Sequence, residues 1–220
     1  MIRRIFKKLV VCAAFTATIF TLGGCSNNDV ADSDKTMEGF YQLIIQQDAS
    51  AITELGIDKK EAKETLTAYQ SSMISTLKNN FSSAGVSITD AQAADIFHAV
   101  SDKFSKLDYK ISVVKEDGKD ASVKVSSQYI NYLDIFKTAK ETTINELKPQ
   151  HIEKLSDAKK QLVANVVEGF QNAEISKDMK SMTFHLKKQK IKSGSKTIQV
   201  FFPEDYEQVG SKLIKLVTNQ

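Results

Sequence analysis

Apolar residues first recur with a period near 3.6. From about residue 34 to residue 54, Met37, Phe40, Tyr41, Ile44, Ile45 and Ile52 fall on one helical stripe, with Gly56 as a stop. Asp58, with Glu61 three residues on, has the pattern of a capping box, and the stripe behind it is Ala62, Leu66, Tyr69, Met73, Leu77 and Phe81. Thr89 and Gln92 repeat the pattern ahead of Ala93, Ile96, Phe97, Val100, Phe104 and Leu107. Three helices in a row follow, expected to pack as an antiparallel layer.

The period then drops to 2. Tyr109, Ile111 and Val113 alternate with polar residues, as do Ala121, Val123 and Val125, with Asp117-Gly118 between the two runs. A two-residue Asp117-Gly118 loop would mix the faces. A three-residue loop, Glu116 to Gly118, sets Val113 against Ala121 and Ile111 against Val123, with Gly118 in the left-handed position of a bulge. Helical periodicity returns over residues 131–148 and, beyond Pro149, over residues 150–170. A second alternating pair is Met182, Phe184, Leu186 and Ile198, Val200, Phe202, linked through Ser193-Gly194-Ser195. Pro203 is expected to open a last helix, with Glu204 and Asp205 in its first turn and Val209, Leu213 and Leu216 on its stripe.

These elements predict an α+β fold. Residues 34–107 are its helical part and residues 108–220 its strand-helix part. Two hairpins would make a four-stranded antiparallel sheet with one solvated face, covered by helices on the other. The layout is analogous to cystatin-like and nuclear-transport-factor-like folds, an analogy of architecture alone.

The N-terminus has a different pattern. Arg3, Arg4, Lys7 and Lys8 precede an apolar run from Leu9 to Leu22, shorter than the about 20 residues of a spanning helix. It ends in Leu22, Gly23, Gly24 and Cys25. This stretch resembles the lipobox of bacterial lipoproteins, which reads aliphatic, small, small, Cys. The resemblance implies a signal peptide over residues 1–24, diacylglycerol on the Cys25 thiol, and cleavage between Gly24 and Cys25. The domain would then be held to the cell membrane on its extracytoplasmic side, with the polar residues 25–33 as lipidated anchor and tether.

Charge changes meaning once the signal is set aside. Residues 1–24 hold four of the 30 basic residues and none of the 27 acidic ones, leaving 26 against 27 and a net charge of −1. That balance argues against a nucleic-acid partner. The chain has two cysteines, Cys12 within the signal and Cys25 at its end, so the mature chain forms no disulfide and has no Cys nucleophile. Taken together, the lipobox, the helices, the alternating strands and the Lys-rich C-terminal hairpin resemble short lipoproteins of Gram-positive bacteria that carry a domain of unknown function. That resemblance implies no activity and no functional residues.

Candidate chemistry is sparse. Asp95, His98 and Asp102 share one helical face by spacing, a weak metal or acid-base candidate that is also an ordinary charged face. His151 and His185 are isolated, His185 on the solvated face of a strand. No nucleophile-elbow, zinc-protease, dinucleotide or phosphate-loop motif occurs, and no cofactor is implied. Lys187, Lys188, Lys190, Lys192 and Lys196 make the last hairpin basic, suiting contact with an anionic surface or protection of a sheet edge. The expectation is a lipid-anchored, non-enzymatic domain that binds a small ligand or a partner protein. The alternatives are an envelope-acting enzyme or accessory subunit, or a pheromone cut from residues 16–24 of the signal.

Overall fold

The computed structural model describes residues 32–150 and 155–220. Cys25, the lipobox, the signal peptide and His151 lie outside the described residues. The helices are α1 (Ser33–Tyr41), α2 (Ser50–Glu54), α3 (Lys59–Ser83), α4 (Asp90–Phe104), α5 (Tyr132–Gln150), α6 (Leu155–Gln171) and α7 (Tyr206–Val217). The strands are β1 (Tyr109–Glu116), β2 (Asp120–Ser127), β3 (Lys180–Ser193) and β4 (Lys196–Pro203). The two hairpins join in one antiparallel sheet of order β1-β2-β3-β4. The fold is α+β, as the periodicities predict.

The predicted first helix is broken. After Tyr41 the chain continues as one wide π turn, Gln42–Gln46, and Gln47 then takes a left-handed backbone with φ 59°. The Asp48 carboxylate accepts from the Ser50 amide at 2.8 Å and starts α2 afresh. The reason for the wide turn is burial. Leu43, Ile44 and Ile45 are consecutive and all buried, which a single amphipathic stripe does not allow. The segment from Met37 to Ile45 is a central strut, touching β1, β2 and β4 as well as α3, α4 and α7. On its outer side α4 packs between α3 and α6, and α6 packs against α5.

The first hairpin departs from the predicted register. Val113 pairs with Val123, Ile111 with Val125 and Tyr109 with Ser127. Near the turn Glu116 pairs with Ala121 and Lys115 with Ser122, so Val114 has no cross-strand partner and forms a bulge. Gly118 lies outside the left-handed region. Its place in the turn chemistry is taken by Asp117, whose carboxylate accepts from the Lys119 and Asp120 amides at 3.1 and 3.0 Å. This turn alone would put apolar residues opposite polar ones. The one-residue bulge restores the parity that burial requires.

The C-terminal half has two further departures. Pro203 ends β4 and does not open a helix. The Glu204 amide still donates to the His185 carbonyl at 2.9 Å, so α7 begins only at Tyr206. Edge position makes this possible, since Pro lacks the donor that an inner strand needs. The second departure is that β4 is not one-sided. Val200 and Phe201 are adjacent and both buried, Phe201 in the main core and Val200 in a small cluster with Ile191, Ile198, Ile57 and Phe202. Over β1, β2 and the first half of β3 the expected solvated face is present, with Ser122, Lys124, Ser126 and His185 upon it.

Candidate functional site

Asp95, His98 and Asp102 line one wall of an open groove between α4 and α6. Lys160 and Gln171 stand on the other wall, and Ala99, Val163, Ala164 and Val167 form an apolar floor. All three α4 side chains are exposed. Asp102 is engaged by Lys106 at 2.7 Å, one helical turn on, and the His98 ring sits edge-on to Phe97 with centroids 5.7 Å apart. Among the described residues no three His, Cys, Asp or Glu side chains gather as a metal-ligand set. The spacing therefore brings the trio to one groove but does not converge it on a point.

The five lysines of the last hairpin do not form one patch. β3 and β4 pair without a shift from Leu186↔Pro203 to Ser193↔Lys196. Strict alternation puts Lys188, Lys190 and Lys192 on one face, and Lys187 with Lys196 on the other. Lys187 is paired with Glu204 at 2.6 Å, and that carboxylate pushes its ammonium pKa up. Lys188 lies over the Phe201 ring at 5.6 Å, within cation–π range.

The tip of this hairpin is fastened to α3. Gly194 takes φ +57° at the turn. The Asp58 carboxylate caps α3 through the Lys60 and Glu61 amides. Glu61 does not reach back to the Asp58 amide, as a closed capping box requires. It accepts instead from the Ser193 hydroxyl and, at 2.9 Å, from the Gly194 amide. The Asp58 amide donates to Ser193 Oγ at 2.7 Å. The Thr89–Gln92 box, by contrast, closes in full.

Two features were not singled out from sequence. Ser122 Oγ and His185 Nδ1 are 3.0 Å apart across β2 and β3, on the exposed sheet face. Pairing of this kind depends on register, which the sequence does not print. A cleft between α5 and α6 is lined by Asp134, Glu146, Glu168 and Glu174. At its edge Asn165 donates to Thr143 Oγ1 at 3.0 Å and to Glu146 Oε2 at 2.8 Å. The 3–4 spacing of Asn165 and Glu168 on α6 and Asn172 just beyond it is a signal that could have found it.

No family model and no curated protein matches this sequence. A crystal structure of a Bacillus subtilis protein described as a lipoprotein, ycdA, is similar in fold. The TM-score is 0.63 at 15% identity, covering 84% of this chain and 55% of that one. The chain thus spans just over half the length of that protein, and the likeness is one of fold. Among the described residues no helix is long and apolar enough to cross a membrane.

Proposed function

We propose that this chain is an extracytoplasmic lipoprotein, held to the cell membrane by diacylglycerol on Cys25. Its folded part is a non-enzymatic domain that binds a small ligand or a partner protein. The observation that carries the reading is the run Leu22-Gly23-Gly24-Cys25 behind a basic and apolar leader. The fold shared with ycdA supports it, because that protein is itself described as a lipoprotein. Two acyl chains on one thiol would supply firm retention, since each buried methylene contributes about 0.8 kcal/mol. Open grooves lined by mixed polar and apolar side chains support the binding role.

The test is intact mass spectrometry of the membrane-extracted protein, together with fractionation of a Cys25→Ala variant. The mature chain should begin at Cys25 and carry the diacylglycerol mass, and the variant should leave the lipidated membrane pool. An unmodified Cys25 in membrane-bound protein would overturn the reading. Native mass spectrometry of the same material tests the binding role, through a reproducible added mass or a captured partner chain. Turnover of a substrate, abolished by one substitution in the domain, would overturn the non-enzymatic part.

A further inference from the structure

The reading above leaves open how the domain sits on its membrane, and the sheet geometry addresses this. The first described helix, α1, starts beside the tip of the β1–β2 hairpin, where the Ser33 hydroxyl donates to Glu116. Glu116 pairs with Ala121, and Ala121 with Leu186, so these three side chains share one sheet face. It is also the face on which α1 packs, since Tyr41 bonds Ser127 at 2.6 Å and stacks on Tyr109. Beyond Leu186 the helices change sides: Phe40 of α1 packs on Phe202, Ile191 and Ser193 are buried, and Lys188, Lys190 and Lys192 stand on the other side of β3.

The lysine row therefore starts about 12 Å from Glu116, two strand spacings across the sheet and two residues along β3, and its members follow at about 7 Å intervals. The Lys188 amide donates to the Lys119 carbonyl at 2.8 Å, which fixes the row against the hairpin tip. Among the described residues these three lysines have no carboxylate ion pair, whereas Lys187 on the opposite face has Glu204. From Cys25 to Ser33 the chain reaches at most about 28 Å even when fully extended. A lipid on Cys25 keeps the start of α1, and with it the β1–β2 hairpin tip and the start of the lysine row, near the headgroups.

We propose that Lys188, Lys190 and Lys192 rest on anionic phospholipid headgroups of the membrane that holds Cys25, so that the domain lies on the bilayer by the second half of β3. This rests on the lipidation of Cys25. The tether is what favours the bilayer over a wall polymer, because its reach of about 28 Å holds the start of α1 within that distance of the headgroups. Each lysine near an anionic surface strengthens the contact on the order of fivefold, so three together suffice to orient a domain that is already anchored.

The test uses the mature lipidated protein in vesicles of phosphatidylcholine alone or mixed with phosphatidylglycerol. A water-soluble acetylating reagent reads the accessibility of each lysine by mass spectrometry. Acetylation of Lys188, Lys190 and Lys192 should slow about fivefold or more on the anionic vesicles and recover at high salt. Lys110 and Lys124, on the opposite face of the same sheet, should not change. Equal labelling of the row on both vesicle types, with the lipid present in the intact mass, would overturn this proposal alone. Absence of the lipid from the intact mass would overturn it together with the anchoring reading. Protection on intact cells but not on vesicles would assign the row to a wall polymer and overturn the bilayer contact.

Discussion

The Ser193 hydroxyl stands between the Asp58 amide and the Glu61 carboxylate, accepting from one and donating to the other. A residue of the last hairpin thus completes the N-terminal cap of a helix 132 positions earlier in the chain. Glu61→Ala should release that clasp while leaving the Asp58 cap in place. The expected cost is about 1–3 kcal/mol, because the Gly194 amide and Ser193 hydroxyl lose a charged partner. Hydrogen exchange should accelerate over residues 190–197 more than over α3. Uniform acceleration across the protein would rule out a local clasp.

Gly169 illustrates a glycine that sequence rules misjudge. It lies inside α6, where Ala is ordinarily worth about 1 kcal/mol more than Gly. Here a Cβ would stand 2.8 Å from Ile135 Cγ2 of α5. Gly169→Ala should therefore lower the melting temperature, and Ile135→Ala in the same chain should recover part of the loss. A double-mutant cycle with no coupling would remove the contact as the cause.

The buried tyrosines set an alkaline limit. Burial, offset in part by the hydrogen bond with Ser127, pushes the Tyr41 hydroxyl up to about 12, and burial raises Tyr69 and Tyr132 as well. The unfolded chain loses these protons near pH 10, while the folded protein keeps them. Their contribution to stability is complete below pH 10 and drains away as pH rises towards the folded value. Denaturant midpoints should fall steeply between pH 10 and 12, and less steeply in Tyr41→Phe. A flat profile would show that these hydroxyls titrate freely.

The opposite limit concerns one turn. Backbone amides of Asp120 and Lys119 hold the Asp117 carboxyl below its ordinary pKa. Stability from this group is present above pH 4 and is lost as pH falls through the depressed folded value. Asn at this position keeps an acceptor for both amides. Asp117→Asn should therefore flatten the acid dependence of amide exchange at residues 118–120. An unchanged acid profile would place its origin elsewhere.

The Asp95, His98 and Asp102 trio gives a prediction of little consequence to the fold. All three are exposed and Asp102 is engaged by Lys106. Metal content of the purified protein, by elemental analysis, should be the same for wild type and His98→Ala. A stoichiometric metal lost in the variant would restore the trio as a site.

Periodicity made α3, α4, α6 and both hairpins legible, because each buries one stripe or one face. It failed where two surfaces are covered at once. Leu43-Ile44-Ile45 and Val200-Phe201 are buried on more than one side, so they lack a single period. It failed too where a distant residue intervenes. Asp58 and Glu61 read as a closed box, since nothing local announces Ser193. The β1–β2 register required weighing turn chemistry against alternation, and the bulge at Val114 reconciles them in a way that neither signal contains. Of the candidate site residues, the lysines were legible as a group, but their division between two faces needed the ladder. Cys25 and its neighbours, read from sequence, lie outside the described residues.

β3 serves two partners in succession, β2 along its first half and β4 along its second. Each hairpin closes between near neighbours in the chain, whereas joining Val123 to Phe184 requires the whole of α5 and α6 to be looped out first. Non-local pairings are entropically slow to close. Union of the two hairpins is thus the slowest of these pairings to close, and until it occurs the inner edges of β2 and β3 stand open to other chains.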